Sequence, residues 1–421
     1  MSAAPTRRMA LRLAAGTAGL SLAAALLWPA AGASASAAAW VATWGASPQQ
    51  ATSLTMPVTA ISDQTVRNIV YTSSGGNRVR IRVSNSFGHR TVVIGAASIG
   101  VQFLGAELER GSVHRVTFSG HRSVALPPGA EAISDPVTMR VPPLSDLAVS
   151  LFVPRPTGPV TNHSDAQQVN YLAAGNHASD AAATAFTTTV QSWYLLDGVA
   201  VAGGSARGAV VAFGDSITDG YQSQVNANDR WPNDLARRLA ARYGATAPAV
   251  IDEGISGNRV LHNSVCFGVN AQARFGRDVL SQPGVRDVIL LEGINDIGFS
   301  QTPDSGCTRP NTAVTARQII RGYQQLIARA HAAGLKIFGA TLTPFRPASY
   351  WSPSAEAKRE AVNRWILTSG AFDGVINFAK AVADPGHPQF MNPKYDSGDH
   401  LHPNDAGYQA MANAINLALL G

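Results

Sequence analysis

The apolar pattern of this chain changes period once, near residues 204–208, and that change limits the fold more than any other feature. From Trp40 to about Gly204 the pattern is strand-like. Arg78-Val79-Arg80-Ile81-Arg82-Val83 alternates strictly, which puts Val79, Ile81 and Val83 on one buried face. Gly75-Gly76-Asn77 just before it is a hairpin turn signal. Similar runs at 66–72, 92–103, 113–118, 137–141 and 147–153 are separated by Gly and Pro clusters. Short strands at that spacing predict an antiparallel β-sandwich over residues 40–204. The polar, Ala-rich stretch 154–189 reads as a long loop or irregular crossing.

After Gly208 strands alternate with helices. Residues 209–213, 285–291, 336–342 and 375–378 are short apolar runs. Trp231, Leu235, Leu239 and Tyr243 recur every four residues, as one helix face does. Residues 315–333 form a second helical pattern, with Ile319, Ile320, Tyr323, Leu326, Ile327 and Ala330 inward and Gly334 as its stop. Residues 354–369 form a third, and 404–420 a closing helix. The alternation predicts an α/β region over 205–421, a parallel sheet covered on both faces. In such a sheet ligands bind at the carboxyl ends of the strands.

The amino-terminal 37 residues read as a removable export signal. Arg7, Arg8 and Arg12 precede an apolar stretch over 13–27, Pro29 breaks it, and Ala33-Ser34-Ala35-Ser36-Ala37 offers cleavage sites. The Arg7-Arg8 pair also suits a twin-arginine route beside the general secretory one. An uncleaved anchor is the alternative, disfavoured by the Ala, Ser and Gly content and by Pro29. No other segment approaches ~18 apolar residues, the length a spanning helix needs. The mature chain is therefore expected to be secreted, without stable membrane association, and monomeric.

Removing those three arginines halves the formal charge of +6, and only four lysines occur in the whole chain. No basic stretch interleaves with aromatics, so nucleic acid is not an expected partner. Hydrophobic residues make up 45% against 14% charged, which excludes a disordered polyelectrolyte. Cys266 and Cys307 are too far apart for a CxxC metal or redox motif. In an exported chain they form one disulfide worth ~4 kcal/mol, or else stand as two buried thiols.

Four polar motifs follow strands of the second half. The first strand runs into Gly214-Asp215-Ser216-Ile217-Thr218-Asp219-Gly220, which presents a serine at the top edge of the sheet. A serine hydroxyl is a weak nucleophile and needs a base. Asp399-His400-Leu401-His402-Pro403 supplies one, because a carboxylate at i and an imidazole at i+3 face the same way in a turn. His400 competes as the base, but adjacent to Asp399 it points away. Acyl transfer also needs donors where an oxyanion develops. Gly257 in Gly254-Ile255-Ser256-Gly257-Asn258-Arg259 and Asn295 in Glu292-Gly293-Ile294-Asn295-Asp296 are the candidates. Each motif alone also reads as an ordinary turn, loop or helix entry.

Together they resemble the SGNH, or GDSL, hydrolase family, whose blocks centre on Ser in G-D-S, on Gly, on Asn in G-x-N-D and on His in D-x-x-H. All four stand here in family order across about 203–421. The resemblance implies a three-layer, flavodoxin-like α/β/α domain with no metal and no cofactor. It implies Ser216 as nucleophile, His402 as base and Asp399 as its orienting group, with the oxyanion hole built from Ser216, Gly257 and Asn295. One departure is the tail Ser216-Ile217-Thr218 in place of Ser-Leu; Asp399 is the least secure triad member. No G-x-S-x-G elbow, P-loop, H-E-x-x-H or dinucleotide fingerprint occurs.

The substrate is a small-molecule or polysaccharide ester. Residues 214–220, Asn228-Asp229-Arg230-Trp231-Pro232, 254–259 and 399–407 resemble the branch associated with xylan breakdown, which brings acetylxylan and feruloyl esterases to mind. A lipase or phospholipase A is the alternative, though no long apolar amphipathic segment stands out. A non-catalytic polysaccharide-binding protein would be expected to lack one of the site residues, and none is missing. Phe345, Arg346, Tyr350, Trp351, Phe390 and Tyr395, in loops near the site, are candidates for the substrate pocket. The β region binds polysaccharide, shapes one wall of the site, or only stabilises it.

Overall fold

A computed structural model describes residues 39–54 and 59–420; the expected leader lies outside the described residues. The alternating segment Arg78–Val83 sits in the strand Gly76–Ser84, with Val79, Ile81 and Val83 buried as predicted. This strand pairs with Leu196–Ala202 on one side and with Glu131–Ile133 and Val137–Val141 on the other. Val41–Gly45 completes that antiparallel sheet. A second antiparallel sheet runs Thr188–Val190, Asn170–Ala174, Gln64–Thr72, Ser145–Val153 and Ala96–Leu104, with Glu107–Leu108 and His114–Val116 at its edge. Val66, Val70, Leu147, Val149 and Leu151 of this sheet share one apolar core with Val79, Ile81, Val83, Val199 and Val201 of the other. That is the predicted β-sandwich.

The β region differs in detail from the sequence reading. The run 92–103 is two strands, Val92–Ile94 and Ala96–Leu104. The stretch 154–189 is no plain loop, since it holds Thr161–His163, Asn170–Ala174 and the start of Thr188–Val190. Its polar residues hid those strands because they bond inward. Asn170 Oδ1 accepts from Ile69 N at 2.7 Å and its Nδ2 donates to Ser192 O at 3.1 Å.

The second half forms a parallel five-stranded sheet. Ala209–Gly214 lies between Ala249–Gly254 and Val285–Leu291, and Lys336–Ala340 and Gly374–Ile376 follow outward. The strand first in sequence is thus second in space. That creates a switch point beside the carboxyl end of Ala209–Gly214, the place where such sheets bind ligands. The helices Trp231–Tyr243 and Asp405–Asn413 pack on one another, as do Ala316–Ala332 and Pro353–Thr368, giving three layers. Ala316–Ala332 starts at a reciprocal cap: Gln318 N donates to Thr315 Oγ1, and Thr315 N donates to Gln318 Oε1 at 2.8 Å. The closing helix is shorter than predicted. It ends at Asn413, and Asn416 then caps a single 3₁₀ turn, Leu417–Leu419. Among the described residues no helix is long and apolar enough to cross a membrane.

The two regions meet closely, and residues 38–421 form one compact unit. Ala42 belongs to the core of the α/β region while Trp44, two residues on, belongs to the β core. Ala42 N donates to Pro283 O at 2.8 Å, and Val250 N, on the outer strand of the parallel sheet, donates to Ser73 Oγ at 3.0 Å. A Cβ on Gly45 would lie 2.4 Å from Glu253 Oε1, so a larger residue there would have to displace that buried carboxyl.

Candidate active site

Asp215 begins the turn that carries Ser216. Its carboxylate accepts from Ile217 N at 3.1 Å and so caps the single-turn helix Ser216–Asp219. Gly214 is required ahead of it, since a Cβ there would sit 2.2 Å from Leu291 O. The result is a serine held at the carboxyl end of the first parallel strand. Ser216 Oγ lies 2.8 Å from His402 Nε2.

His402 arrives from the other end of the domain. Asp399 Oδ2 lies 2.6 Å from His402 Nδ1, and its Oδ1 accepts from the backbone N–H of Leu401 and of His402 at 2.9 and 2.8 Å. Partial burial alone would raise this carboxyl, but the hydrogen bonds from His402 and Leu401 hold it well below the usual carboxylate range. His400 takes the left-handed conformation, φ +64°, and turns away to pair with Asp396 at 2.6 Å. The geometry therefore puts His402, and not His400, against the serine.

Gly257 and Asn295 reach the same place from the second and third strands. Gly257 has φ +78°, and a Cβ on it would enter the ring of Phe267 at 2.3 Å, so both conformation and space demand glycine. Asn295 Nδ2 donates to Asn258 O at 2.9 Å, and Tyr350 Oη donates to Asn295 Oδ1 at 3.1 Å. The Asn258 carbonyl, which can only accept, settles which end of the amide is nitrogen. Asp296 accepts from Val260 N and Leu261 N at 2.7 and 3.0 Å, tying the Asn295 turn to the Gly257 loop. Cys266 and Cys307 are joined as a disulfide between the loops that follow these two residues.

Ser216, Gly257, Asn295 and His402 open onto one cavity of about 430 Å³. Its remaining walls are Ser164, Asp165, Tyr221, Ser256, Phe267 and Tyr350. Of the six aromatic and basic residues expected in the pocket, only Tyr350 is there. Phe345 is fully buried in the hydrophobic core, because its loop folds under itself. Arg346 stacks between Trp351 and Phe390, 4.5 and 4.8 Å from their ring centroids. Arg346 and Phe390 line a separate cavity with His387 and His400. Trp351 and Tyr395 pack against the core. Among the described residues no group of three His, Cys, Asp or Glu is placed to hold a metal ion.

Five wall residues escaped the sequence reading. Tyr221 follows the nucleophile turn directly, and Ser256 and Phe267 share the Gly257 loop, so their neighbours in sequence were the available signal. Tyr221 stands edge-on to the His402 ring, with centroids 4.7 Å apart. Ser164 and Asp165 come from the β region, in the stretch that looked featureless. Beside them His163 Nε2 lies 2.9 Å from Asp219 Oδ1, both side chains buried, and its Nδ1 donates to Ser47 O at 2.9 Å. Burial alone would lower this imidazole, but Asp219, the Ser47 carbonyl and Asp165 raise it to about 9.

Residues 212–410 match the model of the GDSL-like lipase/acylhydrolase family. No curated protein matches the sequence. Solved structures similar to part of this chain include a lipolytic protein of the G-D-S-L family from Desulfitobacterium hafniense, 19% identical, covering 49% of this chain and 96% of its own, with a TM-score of 0.36. An acetyl xylan esterase is 20% identical over 49% of this chain and 96% of its own, with a TM-score of 0.38. An aryl esterase of M. smegmatis is 16% identical over 49% and 95%, with a TM-score of 0.38.

Proposed function

We propose that the chain, whose residues 212–410 match the model of the GDSL-like lipase/acylhydrolase family, is a carboxylic ester hydrolase, and in particular a secreted, monomeric serine esterase that removes acetyl or feruloyl groups from plant cell-wall polysaccharide or related small esters. Residues 40–204 act as its accessory β domain and 205–421 as its hydrolase domain.

The observation that carries the reading is the chain of contacts from Ser216 through His402 to Asp399, opening on a cavity beside Gly257 and Asn295. In this reading His402 Nε2 takes the Ser216 proton as Oγ attacks the ester carbonyl. Asp399 holds the imidazole in the tautomer that leaves Nε2 free, and stabilises the imidazolium that forms. The carbonyl oxygen becomes negative between the N–H groups of Ser216 and Gly257 and Nδ2 of Asn295. The tetrahedral intermediate collapses, and the alcohol leaves with the proton from His402. Water, activated by the same imidazole, then releases the acid and restores Ser216.

A volume of about 430 Å³ walled by Tyr221, Phe267 and Tyr350 suits a compact acyl group, aromatic or short, better than a long chain. The experiment compares the mature protein with Ser216→Ala on acetylated, feruloylated arabinoxylan and on phosphatidylcholine. Acetate or ferulate released by wild type, with kcat several orders of magnitude lower in the variant and unchanged folding, is the expected result. Fatty acid alone would move the protein to the lipases, and full activity of Ser216→Ala would remove the mechanism.

A further inference from the structure

The β region does more than pack beside the catalytic half. The segment 163–169 is clamped onto it from three sides. Ser164 N donates to Gln49 Oε1 at 3.1 Å, and Gln49 Nε2 in turn donates to Cys266 O at 3.2 Å; Val169 N donates to Asn226 Oδ1 at 2.7 Å, and the Arg230 guanidinium donates to Ala166 O. Arg230 belongs to the Asn228–Pro232 motif, which takes no part in the chemistry above. By reaching Ala166, Arg230 seats this segment at the cavity mouth.

Asp165 is the result. Its Oδ1 accepts from Gln167 Nε2 at 2.7 Å, and its Oδ2 lies 2.7 Å from Ser256 Oγ, whose one proton it shares with Asp219 Oδ2 at 2.9 Å. Each carboxylate oxygen has a further lone pair, so the group can still accept. It is half-buried, with Ser164 and Ser256 beside it in the cavity that also holds Ser216 and His402. The cavity thus has two unlike sides. Phe267 and Tyr350 stand against Gly257 and Asn295, where the carbonyl oxygen and acyl group belong. Tyr221 stands against His402, and the stretch that it begins runs beside the Asp165 segment, with Asn226 N donating to Gln167 O at 3.1 Å. The alcohol half of an ester must lie on the His402 side, because it leaves with the proton from Nε2.

We propose that Asp165, supplied by the β region, is a specificity-determining residue: it accepts hydrogen bonds from free hydroxyls on the alcohol half of the ester, and so selects esters of polyhydroxy alcohols, sugars or glycerol, over esters of plain alcohols. The proposal rests on the serine-esterase reading and adds the alcohol subsite to it. A carboxylate there also disfavours anionic alcohol groups, which it would repel.

The experiment holds the acyl group constant. Glycerol monoacetate and propyl acetate share a three-carbon alcohol and differ by two hydroxyls. The quantity read is the ratio of their kcat/KM values, for wild type, Asp165→Ala and Asp165→Asn. A hydrogen bond to a charged acceptor corresponds to roughly 10-fold or more in that ratio. Wild type is expected to favour the glycerol ester. Asp165→Ala should lower the ratio about 10-fold, mainly through KM, and Asp165→Asn, which keeps volume and one acceptor, should lower it less. Equal losses on both esters, with the ratio unchanged in both variants, would mean that Asp165 only braces Ser256, and would overturn the proposal. If wild type cleaved neither ester while Ser216 still reacted with an organophosphonate, the short-acyl reading itself would fall, and the alcohol subsite with it.

Discussion

The hydroxyl of Tyr350 donates to Oδ1 of Asn295 at 3.1 Å while Nδ2 of the same amide donates to Asn258 O at 2.9 Å, so the amide is held at both ends where it lines the cavity with Ser216. An oxyanion donor is only as good as its orientation before the reaction. Asn295→Ala is expected to lower kcat by ~10²–10³. Tyr350→Phe, which removes one hydrogen bond, should lower it by ~3- to 10-fold. The two side chains act as one device, so the double variant should be little worse than Asn295→Ala alone. Steady-state kinetics on the four proteins measures this directly, and full additivity would separate the two residues.

Two histidines stand two residues apart in the same turn and are expected to differ sharply. His402→Ala should lower kcat by several orders of magnitude. His400 pairs with Asp396 outside the cavity and sits at φ +64°. Its test is therefore His400→Asn, a residue that tolerates the left-handed conformation. Activity within about twofold of wild type is expected, since surface changes away from the chemistry have small effects. A large loss in His400→Asn would reassign the base.

The Cys266–Cys307 disulfide closes a loop of 41 residues in sequence separation and joins the loops after Gly257 and Asn295. It does not act alone. Arg259 donates from one loop to the carbonyls of Thr308, Arg309 and Pro310 in the other. Reduction should therefore lower Tm clearly, with ~4 kcal/mol as the chain-entropy ceiling, while kcat/KM falls only a few-fold. Thermal melts and kinetics with and without reductant check both quantities. No change in either would remove the disulfide from the account of the oxyanion loops.

His163 and Asp219 make stability depend on alkaline pH. The folded imidazole is raised to about 9, above its ordinary value near 6.5. The folded state thus holds a proton that the unfolded chain has already released. This stabilisation is fully present below about pH 6.5 and is lost as pH rises through about 9, with ~3 kcal/mol as an upper figure. Tm of wild type should fall across that window, and His163→Gln should start lower and show a shallower slope. Parallel slopes for the two proteins would clear His163 of the effect.

The sequence was most legible where chemistry and backbone demand the same residue. Gly214 and Gly257 are held by sterics, and with Ser216 they follow the ends of neighbouring parallel strands, which is why the four motifs together point to one place. The alternation of Val79, Ile81 and Val83 likewise identified a sandwich strand. The substrate walls were not legible. Phe345 and Tyr350 are aromatic residues five positions apart in one loop, yet one fills the core and the other lines the cavity. Nothing in their spacing says which. Asp165 was further out of reach, because its position depends on how the β region docks. The polar contacts that make that docking, from Asn226, Arg230 and Ser256, carry no periodicity.

The strand Val41–Gly45 and the Ser47 turn lie over the outer strand of the parallel sheet, with Ser47 Oγ bonded to Glu253 Oε2 at 2.7 Å and Ser73 Oγ accepting from Val250 N. Cut away from residues 39–204, the family-matched half would show an unpaired sheet edge and an acidic side chain without its hydroxyl donor. An exposed edge of that kind recruits other chains. The family-matched stretch on its own is accordingly expected to associate with copies of itself, and a cut for engineering is better placed outside both regions than between them.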